Sequence, residues 1–157
     1  GAREIPLGDF FIDYGKQDLH EREIVERVSL PRLGNADYFR AYKISKRFDQ
    51  DISALCAAFN FQIADGRISA ARIAFGGMAA TPKRAKHCES VLNGAEWSQE
   101  TMDTAAAALE KDFSPISDMR ASAQYRLTAA KNLLHKAFLE HDSAPVRVVD
   151  FKAAAHG

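Results

Sequence analysis

The chain reads as an α+β domain: an antiparallel sheet of three to four strands, covered on one face by about three helices. Three observations point there. Apolar residues alternate with polar ones through most of the stretch from Glu23 to Phe75, the period of a half-buried strand. After Thr81 the spacing becomes helical. Short turn signals separate the strands, which makes neighbours antiparallel, and strands followed by helices segregate into layers.

Residues 1–20 are mixed, with an aromatic cluster at Phe10, Phe11 and Tyr14. Asp9 is expected to cap a short turn that presents Phe10 and Phe11 inward. A first strand is predicted from Glu23 to Leu30, where Ile24, Val28 and Leu30 stand among polar neighbours, and Pro31 stops it. Gly34-Asn35 is a turn signal. A second strand runs from Tyr38 to Lys43, and its facing is open. Either Phe39 and Ala41 face the core and Lys43 continues an apolar face, or Tyr38 and Tyr42 face inward and Lys43 is solvated. Periodicity favours the second arrangement.

The third strand, Ile52 to Ile63, puts Leu55, Ala57, Phe59, Phe61 and Ile63 on one face and small Ala54, Cys56 and Ala58 on the other. Asp65-Gly66 turns it into a fourth, Ile68 to Phe75. Ile73 and Phe75 share the face of Phe59 only if a three-residue loop or a bulge corrects the parity of a two-residue loop. Thr81-Pro82 is expected to start the first helix, with Ala85, Cys88 and Leu92 as its stripe and Asn93-Gly94 at its end. Ser98 caps the second, with Met102, Ala105 and Leu109 inward, and Ser114-Pro115 breaks it. The third runs from Met119 to Glu140. Ser117 or Asp118 is its expected cap, and Ala123, Leu127, Ala130 and Leu134 its stripe. The tail from Ser143 carries an extended patch, Val146 to Phe151, open between a stray strand, a contact with another chain, and disorder.

A chain of 157 residues can bury one real core. Its 21 basic and 21 acidic side chains cancel, which argues against a nucleic-acid binder acting by phosphate neutralisation. Cys56 and Cys88 make no disulfide framework and read as small buried residues. No signal peptide or membrane-spanning run is visible, so a reducing, cytoplasmic setting is expected. The chain opens on Gly1 rather than Met and reads as a fragment of something longer, with a domain over 1–142 and a tail over 143–157.

Few motifs carry chemistry unaided. Gly76-Gly77, between strand and helix, admits either a phosphate against backbone N–H groups or simply a tight turn; the turn is favoured. His87 and Cys88 are helical neighbours that diverge by about 100° and cannot share a metal, so no metal site is assigned. His135 and His141 are expected to be solvated. Asp49 and Asp51 flank Gln50 beside Lys46 and Arg47: paired carboxylates for acid–base work, or more commonly a polar loop whose charges pair. No Ser/His/Asp or Cys/His arrangement carries a recognisable local signature, and no catalytic residue is assigned. Arg120 and Arg126 read as a solvated face or as surface ion pairs.

Three stretches nevertheless form a pattern. Tyr42-Lys43-Ile44-Ser45-Lys46-Arg47-Phe48-Asp49-Gln50-Asp51-Ile52 has a lysine ending a strand, basic residues three and four later, and an acidic run into a long strand. Ala74-Phe75-Gly76-Gly77-Met78-Ala79-Ala80-Thr81-Pro82 and Ser117-Asp118-Met119-Arg120-Ala121-Ser122-Ala123-Gln124-Tyr125-Arg126-Leu127 follow. In order and spacing they resemble the flavin-binding part of xanthine dehydrogenase, in particular its bacterial small subunit. The medium subunit of carbon monoxide dehydrogenase is similar but less close.

The resemblance implies the C-terminal subdomain of an FAD-binding unit. It also implies a larger oxidoreductase, in which an N-terminal FAD subdomain, an iron–sulfur domain with [2Fe–2S] clusters and a molybdopterin subunit are partners, and NAD accepts the electrons of purine oxidation. By position, Leu19 corresponds to an apolar residue against the flavin and Lys43 to a lysine that reaches it. Arg47, Asp49, Gln50 and Asp51 correspond to a loop controlling nicotinamide access in animal relatives, which carry a second basic residue where this chain has Phe48. The rival reading, from the residues alone, is an independent α+β interaction or dimerisation module without a cofactor.

Overall fold

A computed structural model describes residues 1–47, 51–141 and 143. The fold is α+β. A helical turn α1 (Leu7–Phe10) leads into a small ribbon of β1 (Phe11–Asp13) and β2 (Lys16–Gln17). The main sheet comprises β3 (Asp37–Ile44), β4 (Leu55–Ala64), β5 (Arg67–Gly76) and β6 (Lys83–Arg84), antiparallel in the order β3-β4-β5-β6. Three helices follow: α2 (Lys86–Leu92), α3 (Gln99–Asp112) and α4 (Ala123–Leu139).

The core lies between one sheet face and the helices. Leu55, Ala57, Phe59 and Phe61 of β4 and Ala71, Ile73 and Phe75 of β5 meet Cys88 and Leu92 of α2, Met102, Ala105 and Leu109 of α3, and Ala130 and Leu134 of α4. Alternation in the strands and spacing of three or four in the helices bring these residues to one side. Phe59 and Phe61 stack at 6.1 Å, and Phe59 meets Phe75 edge-on at 5.7 Å, both within the range of favourable aromatic pairs.

The β4–β5 hairpin shows how parity is solved. Asp65 and Gly66 both take positive φ, 51° and 71°, as a two-residue hairpin loop of the I′ type requires. Ile63 pairs with Ile68 but Gln62 pairs with Ala70. Ser69 is the extra residue of a bulge, and beyond it Phe59 faces Ile73. Of the two solutions that the apolar pattern allows, a three-residue loop or a bulge, the bulge is present.

Several expectations are corrected. Residues 23–30 form no strand. Ile24, Val28 and Leu30 are exposed, Ile24 by 84%. Alternation marks a strand only where an edge pairs with it and a core covers one face, and among the described residues this stretch has neither. Thr81-Pro82 starts no helix. The Ala85 N–H donates to Ile73 O at 2.9 Å, so the segment extends the sheet edge, where a nearby Pro is tolerated, and the helix waits until Lys86. The last helix starts at Ala123, not Met119, because Asp118 Oδ1 accepts from the N–H groups of Arg120 and Ala121 and closes a turn first. Ser122 is its cap, accepting from Tyr125 N, while Ser117 Oγ accepts from Ala123 N. Pro6, not Asp9, precedes the α1 turn. Cys56 is exposed, whereas Cys88 is buried as expected; burial first, then nearby Asp112 and Glu89, pushes the Cys88 thiol up to about 12. The Val146–Phe151 patch lies outside the described residues.

Candidate functional site

Of the expected site residues, Lys43 falls on the face of the sheet away from the helices. Tyr38 and Tyr42 turn inward to the core, and Lys43 takes the opposite face with Phe39 and Ala41, all exposed. The residue-based alternative of a solvated Lys43 therefore describes the geometry. Across the strands Lys43 pairs with Cys56, and Cys56 with Gly76. The next row on this face is Ala41, Ala58 and Ala74. Three strands span roughly 10 Å at the usual spacing. The face beside the Lys43 ammonium is thus a floor of small side chains, open enough for a planar ring system to approach. Among the described residues the ammonium makes no hydrogen bond or ion pair.

Beyond Ile44 the chain enters the β3–β4 loop. Asp51 organises its described part: its carboxylate accepts from Arg47 N at 3.1 Å and Ile52 N at 2.9 Å, and pairs with Arg47 Nη2 at 3.4 Å. The Arg47 side chain foremost, then these amides, holds the Asp51 carboxyl below the usual carboxylate range. Arg47 and Asp51 are thus brought together as an ion pair. Asp49 and Gln50 lie outside the described residues. Leu19 is not on the sheet. It sits in the N-terminal arm, where Arg3 gathers Asp18 and Glu23.

An open cleft of about 460 Å³ lies beside the loop, lined by Lys46, Ala54, Asp118, Met119, Ser122 and Tyr125 among others. Lys46 Nζ crosses its edge to donate to Met119 O at 2.6 Å.

Sequence reasoning missed the group that ties these parts together. Arg126 is 3% exposed. Its Nη1 donates to Ala54 O at 2.7 Å and Gly77 O at 2.6 Å, and its Nη2 to Asp118 Oδ1 at 2.7 Å. The Gly77 turn has φ +81°, and a Cβ there would lie 2.7 Å from Ala54 O. The glycine is therefore required by a tight approach of backbone to backbone. The ion-pair reading of Arg126 was right, but its burial was not legible: the signal available was an arginine on the apolar side of a helix, one residue before Leu127.

Of the histidines expected in solvent, His135 pairs with Asp103 at 2.9 Å and the His141 ring packs on Tyr38 and Trp97 at 4.9 and 5.0 Å. Among the described residues no three His, Cys, Asp or Glu side chains converge to hold a metal, and no helix is long and apolar enough to cross a membrane.

Comparison with known proteins shows the family of the domain that carries this surface. The CO dehydrogenase flavoprotein C-terminal domain family matches residues 40–141, the sheet, the loop and all three core helices. The chain belongs to that family. Among curated relatives of this flavoprotein C-terminal domain, the nicotine 6-hydroxylase medium subunit of Paenarthrobacter nicotinovorans is 34% identical over 140 residues, 89% of this chain and 48% of that one. The xanthine dehydrogenase FAD-binding subunit of Escherichia coli O157:H7 is 29% identical over 145 residues, again 89% and 48%. The chain thus spans about half the length of these relatives. Among solved structures, reconstituted CO dehydrogenase from Oligotropha carboxidovorans superposes with a TM-score of 0.82 at 25% identity, over 93% of this chain and 50% of that one. Quinoline 2-oxidoreductase from Pseudomonas putida 86 gives 0.74 at 28%, over 85% and 46%. The flavoprotein C-terminal domain accompanies enzymes named for quite different substrates.

Proposed function

We propose that this chain, over residues 1–142, is the C-terminal subdomain of the FAD-binding unit of a xanthine dehydrogenase, a molybdenum hydroxylase, and that it helps to enclose the flavin. The observation that carries the reading is the Lys43 ammonium, standing without a partner among the described residues beside the small-residue floor of Cys56 and Gly76, inside the span matched by the family. FAD, when bound, supplies the electron relay between iron–sulfur clusters and a nicotinamide acceptor.

The chain's own residues do the rest. Lys43 stabilises negative charge that reduction places on the ring. Leu19 covers an apolar part of the ring from the arm. Arg47 and Asp51 border the approach of NAD, and their ion pair holds the described part of the loop. The partners are an N-terminal FAD subdomain, a [2Fe–2S] domain and a molybdopterin subunit, and hypoxanthine and xanthine are the substrates of the assembled cytoplasmic enzyme. The names of the relatives support the reading at the level of the cofactor more than of the substrate.

Replacement of Lys43 by Ala in the assembled enzyme tests it. The expected result is loss of flavin on gel filtration or slower flavin reduction in stopped flow. Wild-type flavin content together with wild-type reduction rate would overturn the role of Lys43.

A further inference from the structure

Arg126 sits at the point where three chain segments meet, and each contact bears on the position of Lys43. Ala54 O is one of its acceptors, and the same residue's N–H donates to Ile44 O at 2.8 Å, next to Lys43. Gly77 O is the second acceptor, and Gly77 follows Gly76, the far end of the Lys43–Cys56–Gly76 row. One guanidinium therefore joins β4 to β5 just beyond that row, on its Ile44–Leu55 side. Asp118 supplies the opposing charge at 2.7 Å, and is itself fixed by the Arg120 and Ala121 N–H groups at 2.8 and 3.1 Å. The geometry leaves little freedom: the guanidinium is planar, its side chain is almost wholly buried, and Gly77 approaches Ala54 too closely for any side chain. Lys46, reaching Met119 O, ties the near end of the β3–β4 loop to the same Asp118 turn.

We infer that Arg126, charge-paired to Asp118, is a positioning residue that sets the height and direction of the Lys43 ammonium by clamping Ala54 to Gly77 at the end of the sheet just beyond its row. The guanidinium, almost wholly buried, acts through Lys43. The inference rests on the proposed role of Lys43, and its test separates the two.

The test uses the flavin-loaded, assembled protein and two readouts: the flavin midpoint potential by redox titration, and hydrogen exchange of the amides of 51–54 by mass spectrometry. Asp118→Asn keeps shape and an acceptor oxygen but removes the charge; Arg126→Lys keeps the charge but cannot hold two carbonyls and a carboxylate together. The potential is expected to shift negative in Lys43→Ala, and to shift in the same direction but less in Asp118→Asn and Arg126→Lys, with exchange at 51–54 faster by tenfold or more in the latter two. The shift from Asp118→Asn should vanish when Lys43→Ala is already present, because the clamp then has nothing to position. If Arg126→Lys does not fold, Asp118→Asn alone carries the comparison. A shift of equal size in both backgrounds, or no shift at all from Asp118→Asn, overturns the positioning role. An unchanged potential in Lys43→Ala overturns the role of Lys43 and the inference with it. The exchange at 51–54 still reports in that case whether the clamp holds the loop.

Discussion

Asp118 is the residue whose chemistry is most exposed to experiment. The Arg120 N–H foremost, then the Ala121 N–H and the Arg126 guanidinium, hold its carboxyl down at about 2, below the ordinary 3.8 of the unfolded chain. The sign follows directly. Above about pH 4 both states are ionised and the full stabilisation is present. As pH falls from there, the unfolded state takes up a proton that the folded state refuses, and stability drops until about pH 2, where the folded carboxyl protonates too. Urea titrations between pH 5 and 2 should therefore show a fall in stability part of which disappears in Asp118→Asn; an identical pH slope in the variant would contradict the assignment. Asp118 was legible in the sequence as a candidate cap. Its partner Arg126 was not, because burial of a charge depends on what three distant segments place around it. Nothing between residues 117 and 127 names Ala54 or Gly77.

Among the elements, α2 shows the same division more sharply. Its apolar stripe of Ala85, Cys88 and Leu92 and its stop at Asn93-Gly94 follow from local spacing, and all three stripe residues are buried. Its start does not. The residue before it, Ala85, offers no side-chain cap. Instead Asp112, at the far end of α3, reaches across: Oδ1 accepts from His87 N at 2.9 Å and Oδ2 from Cys88 N at 3.0 Å. A carboxylate at the positive end of a helix is favourable twice over, by hydrogen bonding and by the helix dipole. Glu89 then anchors α2 to the sheet by accepting from Ile73 N at 2.7 Å and pairing with Arg84. Replacing Asp112 by Ala should cost about 1–2 kcal/mol in denaturant unfolding, with α2 amides exchanging faster than those of α4. Uniform exchange across both helices would show that the cap is dispensable. The β4–β5 bulge lies at the other extreme. The apolar parity of Phe59 and Ile73 against an Asp-Gly loop required an extra residue, and Ser69 is that residue.

In the molecule as a whole, the sheet and three helices bury every core residue, while none of residues 1–36 is buried. The arm carries Leu7, Ile12, Tyr14, Leu19, Ile24, Val25, Val28, Leu30 and Leu33 in exposed positions, a run of apolar surface far beyond isolated exposed residues. It therefore contributes little to the stability of the domain. Removal of residues 1–33 should leave the helical circular dichroism intact and the denaturation midpoint close to that of the full chain; loss of cooperative unfolding would show that the arm belongs to the core. The false strand at 23–30 has the same origin: among the described residues nothing covers the face that its alternation forms.

Local chemistry was enough for the α+β class, the hairpin and its extra residue, and the stops of α2 and α3, since alternation and turn residues are properties of neighbours along the chain; the family was reached through the resemblance of three sequence stretches to known flavoproteins. Assembly in three dimensions alone established that Arg126 is a buried clamp, that Asp112 caps a helix 24 residues upstream of it, that Lys43 stands on the open face, and that the arm lies outside the core. Each of these depends on which groups far apart in sequence exclude water together, and no short window of residues contains that information.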